Sequence, residues 1–310
     1  DIFIGPYHTY ANPIAVESGH CSNSLNYTGN SCGALQTDLE LAPGQEREIY
    51  FVVGDGDEAT ARRVMREYKQ PGLVQRELAE IKQLWHGRLV KFQVNTPDPD
   101  FNRMVNTWNA YQCFMTFFWS RAASLIYCGL RNGLGFRDTV QDIQGIMHLE
   151  PESAKQRLIY MLSGQLANGG GMPLVRFDHR PGEATPPKPE EYRCDDALWL
   201  FQTVPQYLKE SGDWGFLDEV IPFADQAQGT VYEHLKRALQ FSLGRLGDRG
   251  LVLGLEADWN DCLRLEEEGE SVFASLQLYL ALGVFVDLAK GKGNNEDLLW
   301  AAENWTKSER

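Results

Sequence analysis

No two cysteines stand two residues apart. The six, Cys21, Cys32, Cys113, Cys128, Cys194 and Cys262, are scattered, which excludes zinc-ribbon and dithiol redox motifs, and no metal is expected. Only Cys21 and Cys32 are near neighbours, and a disulfide between them is a minor alternative in a large chain of this kind. Basic residues are also short, 29 against 43 acidic, for a formal charge of −14. That balance argues against duplex nucleic acid, whose phosphates are bound by basic surfaces, and against anionic membranes. No apolar run reads as approaching the roughly 20 residues that cross a bilayer. No basic-then-apolar stretch opens the chain, so the expectation is a soluble, cytoplasmic protein. Heptads, low-complexity tracts and clear repeats are missing as well.

What is there is a globular composition: 310 residues, 43% apolar, 11% aromatic and 23% charged. This suffices for a packed core and suggests two domains. Three zones differ in period. In residues 1–56, Leu35, Thr37, Leu39 and Leu41 alternate with polar residues, Ala42-Pro-Gly-Gln45 supplies a turn, and Glu48 to Val53 follows. That pattern predicts a hairpin, the last part of a β-sandwich. Residues 57–96 read as a helical linker, with helices over 58–69 and 74–88 broken at Pro71-Gly72. From 97 to 310 amphipathic helices are predicted near 102–128, 139–147, 151–167, 195–210, 213–220, 229–246, 271–290 and 295–304, with no strands between them. The fold class is therefore mainly α with an N-terminal β part. The helix pairs suggest an α/α barrel, or an ordinary helical domain. The longest loop, 168–194, contains Gly169-Gly-Gly171 and Pro186-Pro187, and loops of that length in compact domains are usually functional.

Three segments could carry chemistry. In Gly250 to Asp261, two carboxylates, Asp258 and Asp261, flank Trp259 and Asn260. A carboxylic acid can protonate a departing glycosidic oxygen while an indole packs on a pyranose face. The plainer alternative is a capped turn with Trp259 in the core. In Trp119 to Asp142, Arg121 lies in an apolar helix, and Arg131 and Arg137 bracket Asn132-Gly-Leu-Gly135. Arginine forks suit phosphate and hydroxyls; the alternative pairs Arg137 with Asp138 or Asp142 and makes the glycines a helix C-cap. The spacing is not that of a dinucleotide-binding loop. In Glu191 to Leu200, the acids Asp195 and Asp196 either bind sugar hydroxyls or cap a helix. Arg176, Asp178 and His179 are candidate acceptor contacts, whereas His148 and His234 fit satisfied helix positions better than catalytic bases.

Together these segments resemble glycoside hydrolase family ninety-four, the cellobiose and chitobiose phosphorylases. The resemblance rests on Trp119-Ser-Arg121, Gly133-Leu-Gly-Phe-Arg-Asp-Thr139 with Gln141-Asp142, Asp195-Asp196-Ala-Leu-Trp199 and Ala257-Asp-Trp-Asn-Asp-Cys262. Upstream, Ala11 to Ser24 and Leu41-Ala-Pro-Gly44 resemble the end of that family's β-sandwich. The family implies a β-sandwich, a helical linker and an (α/α)6 barrel. It also implies Asp261 as general acid, Arg137 and Asp138 on donor-sugar hydroxyls, Trp259 packing nearby, and Arg121 and Arg131 placing phosphate. The implied reaction splits a β-linked, β-1,4 disaccharide with inorganic phosphate as co-substrate, with inversion and without other cofactors, and the implied assembly is a homodimer. Further contacts of that family, a histidine and a backbone turn among them, lie well beyond the Asp-Trp-Asn-Asp motif, while this chain ends at Arg310. The expectation is therefore that both ends of the natural protein lie outside the chain, and that the chain alone is inactive. Three rivals stay open: an inverting hydrolase, a glucan-remodelling module, and a non-catalytic carbohydrate-binding fragment.

Overall fold

Asp57 starts the first long helix because its carboxylate accepts the Thr60 amide, one of the donors a helix start leaves unpaired. A computed structural model of the chain describes residues 2–25, 33–54, 56–120, 133–263, 265 and 268–308. It divides into two compact units, Asp1–Ala79 and Glu80–Arg310. The first unit contains a short helix α1 (Ile14–Glu17), then α2 (Glu58–Glu67) and the start of α3 (Leu73–Leu89). The expected turn is present, with the Gln45 amide bonded to the Ala42 carbonyl at 2.9 Å. The expected hairpin is not: no strand ladder joins the flanking segments among the described residues. Leu35, Leu39, Leu41, Phe51 and Val53 are all exposed. A lone two-stranded ribbon is marginal in water, and these apolar side chains are left largely exposed.

The second unit carries α4 (Pro99–Arg103), a π-helical turn (Met104–Asn109), α5 (Ala110–Trp119), β1 (Gly133–Gly135) and α6 (Phe136–Asp142). These are followed by α7 (Pro151–Leu162), β2 (Leu174–Arg176), α8 (Leu200–Ser211), β3 (Val220–Pro222), β4 (Gln228–Thr230) and α9 (Val231–Leu243). The last elements are β5 (Val252–Leu253), β6 (Glu270–Ser271), α10 (Val272–Lys292) and α11 (Asn295–Lys307). The helix expectations hold with shifted ends: α11, for example, runs to Lys307 against a predicted 304, and α7 stops at Leu162 against 167. Predicted 102–128 is helical to Trp119, where Ser120 turns left-handed; 121–128 lie outside the described residues. Predicted 213–220 is a 3-10 turn, Trp214–Asp218. Caps explain several boundaries. Thr230 and Glu233 form a capping box on α9, Ser271 caps α10, and Gly293, at φ +69°, ends it.

Short ladders stand between the helices, contrary to the strand-free reading: β1 pairs β2, β3 pairs β4 and β5 pairs β6, all antiparallel. Each strand has two or three residues, too few for period-two alternation to register in sequence. A second correction concerns α10. At 21 residues it is long and apolar enough to cross a bilayer by length and composition. Its apolar residues are spread around the helix: Leu278, Leu282 and Phe285 are buried in the core, where α8, α9 and α11 contact the helix, while Val272, Leu276 and Leu280 stay exposed.

The core of this unit runs through Phe114, Phe136, Leu158, Phe201, Leu235, Leu278 and Phe285, contributed by α5 to α10 and all nearly fully buried. Beside it the 168–171 loop passes over α9. A Cβ on Gly169 (φ +98°) would sit 2.0 Å from the Arg237 carbonyl oxygen, so only glycine permits that approach.

His234 on α9 is buried, with its ring stacked on Phe223 and its nitrogens facing Gln165 Oε1 (2.7 Å) and the Ile221 carbonyl (3.1 Å). The neutral ring donates to one of these oxygens, as a buried helix histidine of the kind expected from sequence. Burial lowers its pKa to about 4, against the pull of the Ile221 carbonyl. Between the ordinary histidine value and that figure the unfolded chain binds the extra proton, so stability is complete above pH 6.5 and falls as pH falls. Acidification from pH 7 to pH 5 should remove ~2 kcal/mol through this group. Urea unfolding at both pH values should show a smaller loss in His234→Gln than in the wild type. Equal losses in the two proteins would refute this.

Candidate active site

The 133–142 segment sets the first side chain. β1 lies on β2, with Gly133 opposite Arg176 and Gly135 opposite Leu174, which aims the first turn of α6. A Cβ on Gly135 would stand 2.5 Å from Asp138 Oδ2, so glycine there leaves room for that carboxylate. One residue earlier on α6, Arg137 is 5% exposed. Its Nη1 donates to Asp195 Oδ1 at 2.9 Å and, by a short bond, to the Asp258 carbonyl. Its Nη2 donates to Asp261 Oδ1, again by a short bond. The guanidinium also lies over the Trp259 ring, 5.0 Å from its centroid.

The 254–269 loop supplies the opposite side, closed at its base by the β5–β6 ladder. Asp258 is buried and structural. It accepts the Asn260 amide and the Ser271 hydroxyl, both at 2.8 Å, and so braces the residue that caps α10. Trp259 is 39% exposed rather than a core residue, and Asp261 presents 63% of its side chain to solvent. The capped-turn alternative therefore describes Asp258 but neither Trp259 nor Asp261.

A third strand of chain, 192–194, runs beside this loop. The Glu256 amide donates to the Tyr192 carbonyl (2.9 Å), and the Cys194 amide to the Ala257 carbonyl (3.0 Å). Between those anchors, Arg193 Nε donates to Asp261 Oδ1 at 3.2 Å. Next come Asp195 and Asp196, at the start of a 3-10 turn, Asp196–Trp199. Neither makes a side-chain cap bond, and both are buried. Asp195 binds Arg137 and accepts Trp199 Nε1 at 2.9 Å. Trp199 in turn packs on Trp259, with centroids 5.4 Å apart.

Electrostatics separate the acids. Burial works against the Arg137 charge, but the carboxylates of Asp195, Asp196 and Asp261 outweigh it, so the cation is held more firmly than usual. Burial pushes the Asp195 carboxyl above the ordinary range, while Arg137 and Trp199 pull it back. Asp196 is fully buried, and neither oxygen finds a hydrogen-bond partner among the described residues. Burial first and Asp195 second drive its pKa well up, which favours the neutral acid over the carboxylate. Burial likewise raises the Cys194 thiol, which removes it as a nucleophile at neutral pH.

The structure thus gathers Arg137, Asp195, Trp259 and Asp261 around one point, with Asp138 beside Arg137 on α6 and Asp196 beneath. Arg121 and Arg131 lie outside the described residues. Arg176, Asp178 and His179 line a separate open cleft of about 440 Å³. There Arg176 pairs with Asp178, and His179 bonds to the Ser163 carbonyl. His148 sits edge-on to Phe92. Sequence reasoning passed over Arg193, although its flanking residues, Tyr192 and Cys194, are both buried. In extended chain that alternation turns the residue between them the other way. The arrangement offers a half-exposed indole, an exposed carboxyl gripped by two guanidinium groups, and a buried acid anchoring one of them. It can seat a sugar ring and exchange a proton with a hydroxyl.

The Glycosyl hydrolase 94 superfamily catalytic domain matches residues 84–308, and the Glycosyl hydrolase 94 supersandwich domain matches residues 1–71. The chain is 38% identical to an N,N'-diacetylchitobiose phosphorylase of Vibrio proteolyticus, over 96% of this chain and 39% of that protein. It is 33% identical to a solabiose phosphorylase of Paenibacillus borealis, over 96% and 37%, and 25% identical to a cellobionic acid phosphorylase of Neurospora crassa, over 92% and 35%. It spans less than two-fifths of the length of these relatives. From its amino-terminal segment through α11, the chain belongs to the glycosyl hydrolase 94 superfamily.

Proposed function

We propose that this chain is part of a cytoplasmic, homodimeric inverting phosphorylase that cleaves a β-1,4-linked disaccharide with inorganic phosphate. In this reading the helices of the second unit are part of an (α/α)6 barrel, and Asp261 is the general acid. Trp259 and Asp138 line the donor-sugar subsite, Arg137 holds Asp261 and faces Trp259, and Arg121 and Arg131 place the phosphate. A phosphate oxygen forms a bond to the anomeric carbon as the bond from that carbon to the glycosidic oxygen breaks. Asp261 passes its proton to the departing oxygen. The products are an α-sugar 1-phosphate and the acceptor sugar. Phosphate is already an anion at neutral pH, so no second carboxylate is needed to make the nucleophile, unlike in an inverting hydrolase. In synthesis Asp261 takes the proton back from the acceptor hydroxyl.

The observation that carries the reading is the exposed Asp261 carboxyl held beside a half-exposed Trp259 by the buried Arg137. The phosphorylase names of several relatives support it. In this reading the donor is a glucosyl or an N-acetylglucosaminyl residue. The test incubates the intact natural protein with cellobiose, cellobionic acid and N,N'-diacetylchitobiose, each with and without phosphate, and follows sugar 1-phosphate by NMR. Phosphate-dependent formation of the α-anomer from one of them is expected. Free sugars released without phosphate would replace this reading with a hydrolase. Silence on all three, with turnover of long glucans, would favour a role closer to the cyclic β-(1,2)-glucan synthase of Rhizobium meliloti, 30% identical over 94% of this chain.

A further inference from the structure

Two guanidinium groups converge on one oxygen of Asp261, and they are mounted differently. Arg137 is buried and fixed by Asp195 and the Asp258 carbonyl as well as by Asp261. Arg193 keeps 30% of its side chain exposed. Among the described residues that side chain has a single hydrogen bond, to Asp261 Oδ1. Its backbone is far more constrained. The bonds from Glu256 to Tyr192 and from Cys194 to Ala257 clamp it on both sides, and Tyr192 and Cys194 are each 2% exposed. A rigid mount therefore carries a long side chain whose one hydrogen bond goes to a largely exposed acid.

A carboxyl held by one donor on one oxygen can still rotate about that contact. A second donor on the same oxygen, arriving from another element, removes the rotation and leaves the other oxygen in a fixed direction. We infer that Arg193 is a positioning residue for Asp261: with Arg137 it holds Oδ1, so that Oδ2 faces the glycosidic oxygen. This rests on the reading of Asp261 as the general acid. The proton leaves Oδ2 for the glycosidic oxygen as that oxygen parts from the anomeric carbon, and Arg193 neither gives nor takes one. Among the described residues, the titratable groups around Asp261 are Arg137 and Asp138 from α6, Arg193, Asp195 and Asp196 from the 191–199 segment, and Asp258 from its own loop, and the cations in that set are Arg137 and Arg193.

The experiment uses the intact natural protein, with phosphate, on two substrates. One is whichever of the three disaccharides above is turned over; the other is the 2,4-dinitrophenyl β-glycoside of its donor sugar, whose leaving group departs without a proton. Arg193→Met should lower kcat on the disaccharide by ~10- to 100-fold, with KM and the rate on the aryl glycoside changed by no more than about threefold. Arg193→Lys, which keeps a charge but not the planar fork, should fall between the wild type and Arg193→Met in kcat on the disaccharide. Thermal melting should match the wild type in both; if Arg193→Met does not fold, Arg193→Gln carries the same comparison. Equal loss on both substrates would mean that Arg193 touches the sugar or supports the fold, and would overturn the inference. So would full activity on the disaccharide. Asp261→Asn is run alongside: if it turns over the disaccharide normally, the general-acid reading has failed. If it does not while the Arg193 variants do, only the positioning role has failed.

Discussion

Arg137→Met should destabilise the second unit by ~3–5 kcal/mol, the usual consequence of removing one partner from a buried ion pair. The side chains of Arg137 and Asp195 are 6% and 0% exposed, so water cannot replace the lost partner. Trp199 Nε1 remains on the other Asp195 oxygen, but one neutral donor does not compensate a buried charge. The Asp258 carbonyl loses its donor as well. The loss should shrink in Arg137→Met/Asp195→Asn, which removes the stranded charge along with its partner. It should also be larger at pH 8 than at pH 5. An unpaired buried Asp195 holds a proton more tightly than in the unfolded chain, so the variant loses stability as pH rises from that group's ordinary range to its raised value in the folded state. Urea unfolding of the single and double variants at both pH values measures this directly. A loss below about 1 kcal/mol in the single variant would show the pair to be worth no more than a surface bridge.

That pair also marks the limit of what the sequence could disclose. α10 and α11 were legible because caps and apolar periodicity are local signals; Ser271, Gly293 and Asn294 sit where a helix start or stop requires them. The motif segments were legible too, since each concentrates carboxylate, arginine, glycine and tryptophan. The partnerships between segments were not. Arg137 read equally well as an anion ligand or as the partner of Asp138 or Asp142. Its acids in the structure include Asp195, 58 positions away, and Asp261, 124 positions away. No periodicity reports contacts at such separations. Asp195 and Asp196 looked like helix-starting caps by type and place, yet tertiary burial assigned one to an ion pair and the other to a site with no hydrogen-bond partner among the described residues. The short ladders failed to register for a related reason. Gly133-Leu-Gly135 has too few side chains to announce a strand, and only its pairing with Leu174–Arg176 makes it one. The amino-terminal zone differs in another way: residues 1–71 match the family's supersandwich domain, as the alternation at Leu35 to Leu41 suggested, but among the described residues of that unit no ladder forms and those leucines stay exposed.

Asp261→Asn should behave in the opposite manner to Arg137→Met: little change in stability and a large change in rate. With 63% of its side chain exposed, Asp261 is a partner that water can replace, so the unfolding midpoint should move by no more than about 0.5 kcal/mol equivalent. The amide keeps an oxygen for Arg137 and Arg193, so the local arrangement survives, but it has no acidic proton to deliver. Phosphorolysis of the disaccharide should fall by ~10²- to 10⁴-fold in kcat, the range that general acid catalysis supplies. KM should change little, because sugar binding rests on other groups. Measured side by side, the two variants separate roles that meet at one pair of hydrogen-bonded residues. Arg137→Met disables the enzyme by loosening the ground beneath Asp261, and Asp261→Asn disables it with that ground intact. A rate loss below about tenfold in Asp261→Asn, in a protein that melts like the wild type, would leave the exposed carboxyl as a sugar ligand and require the acid to be sought elsewhere.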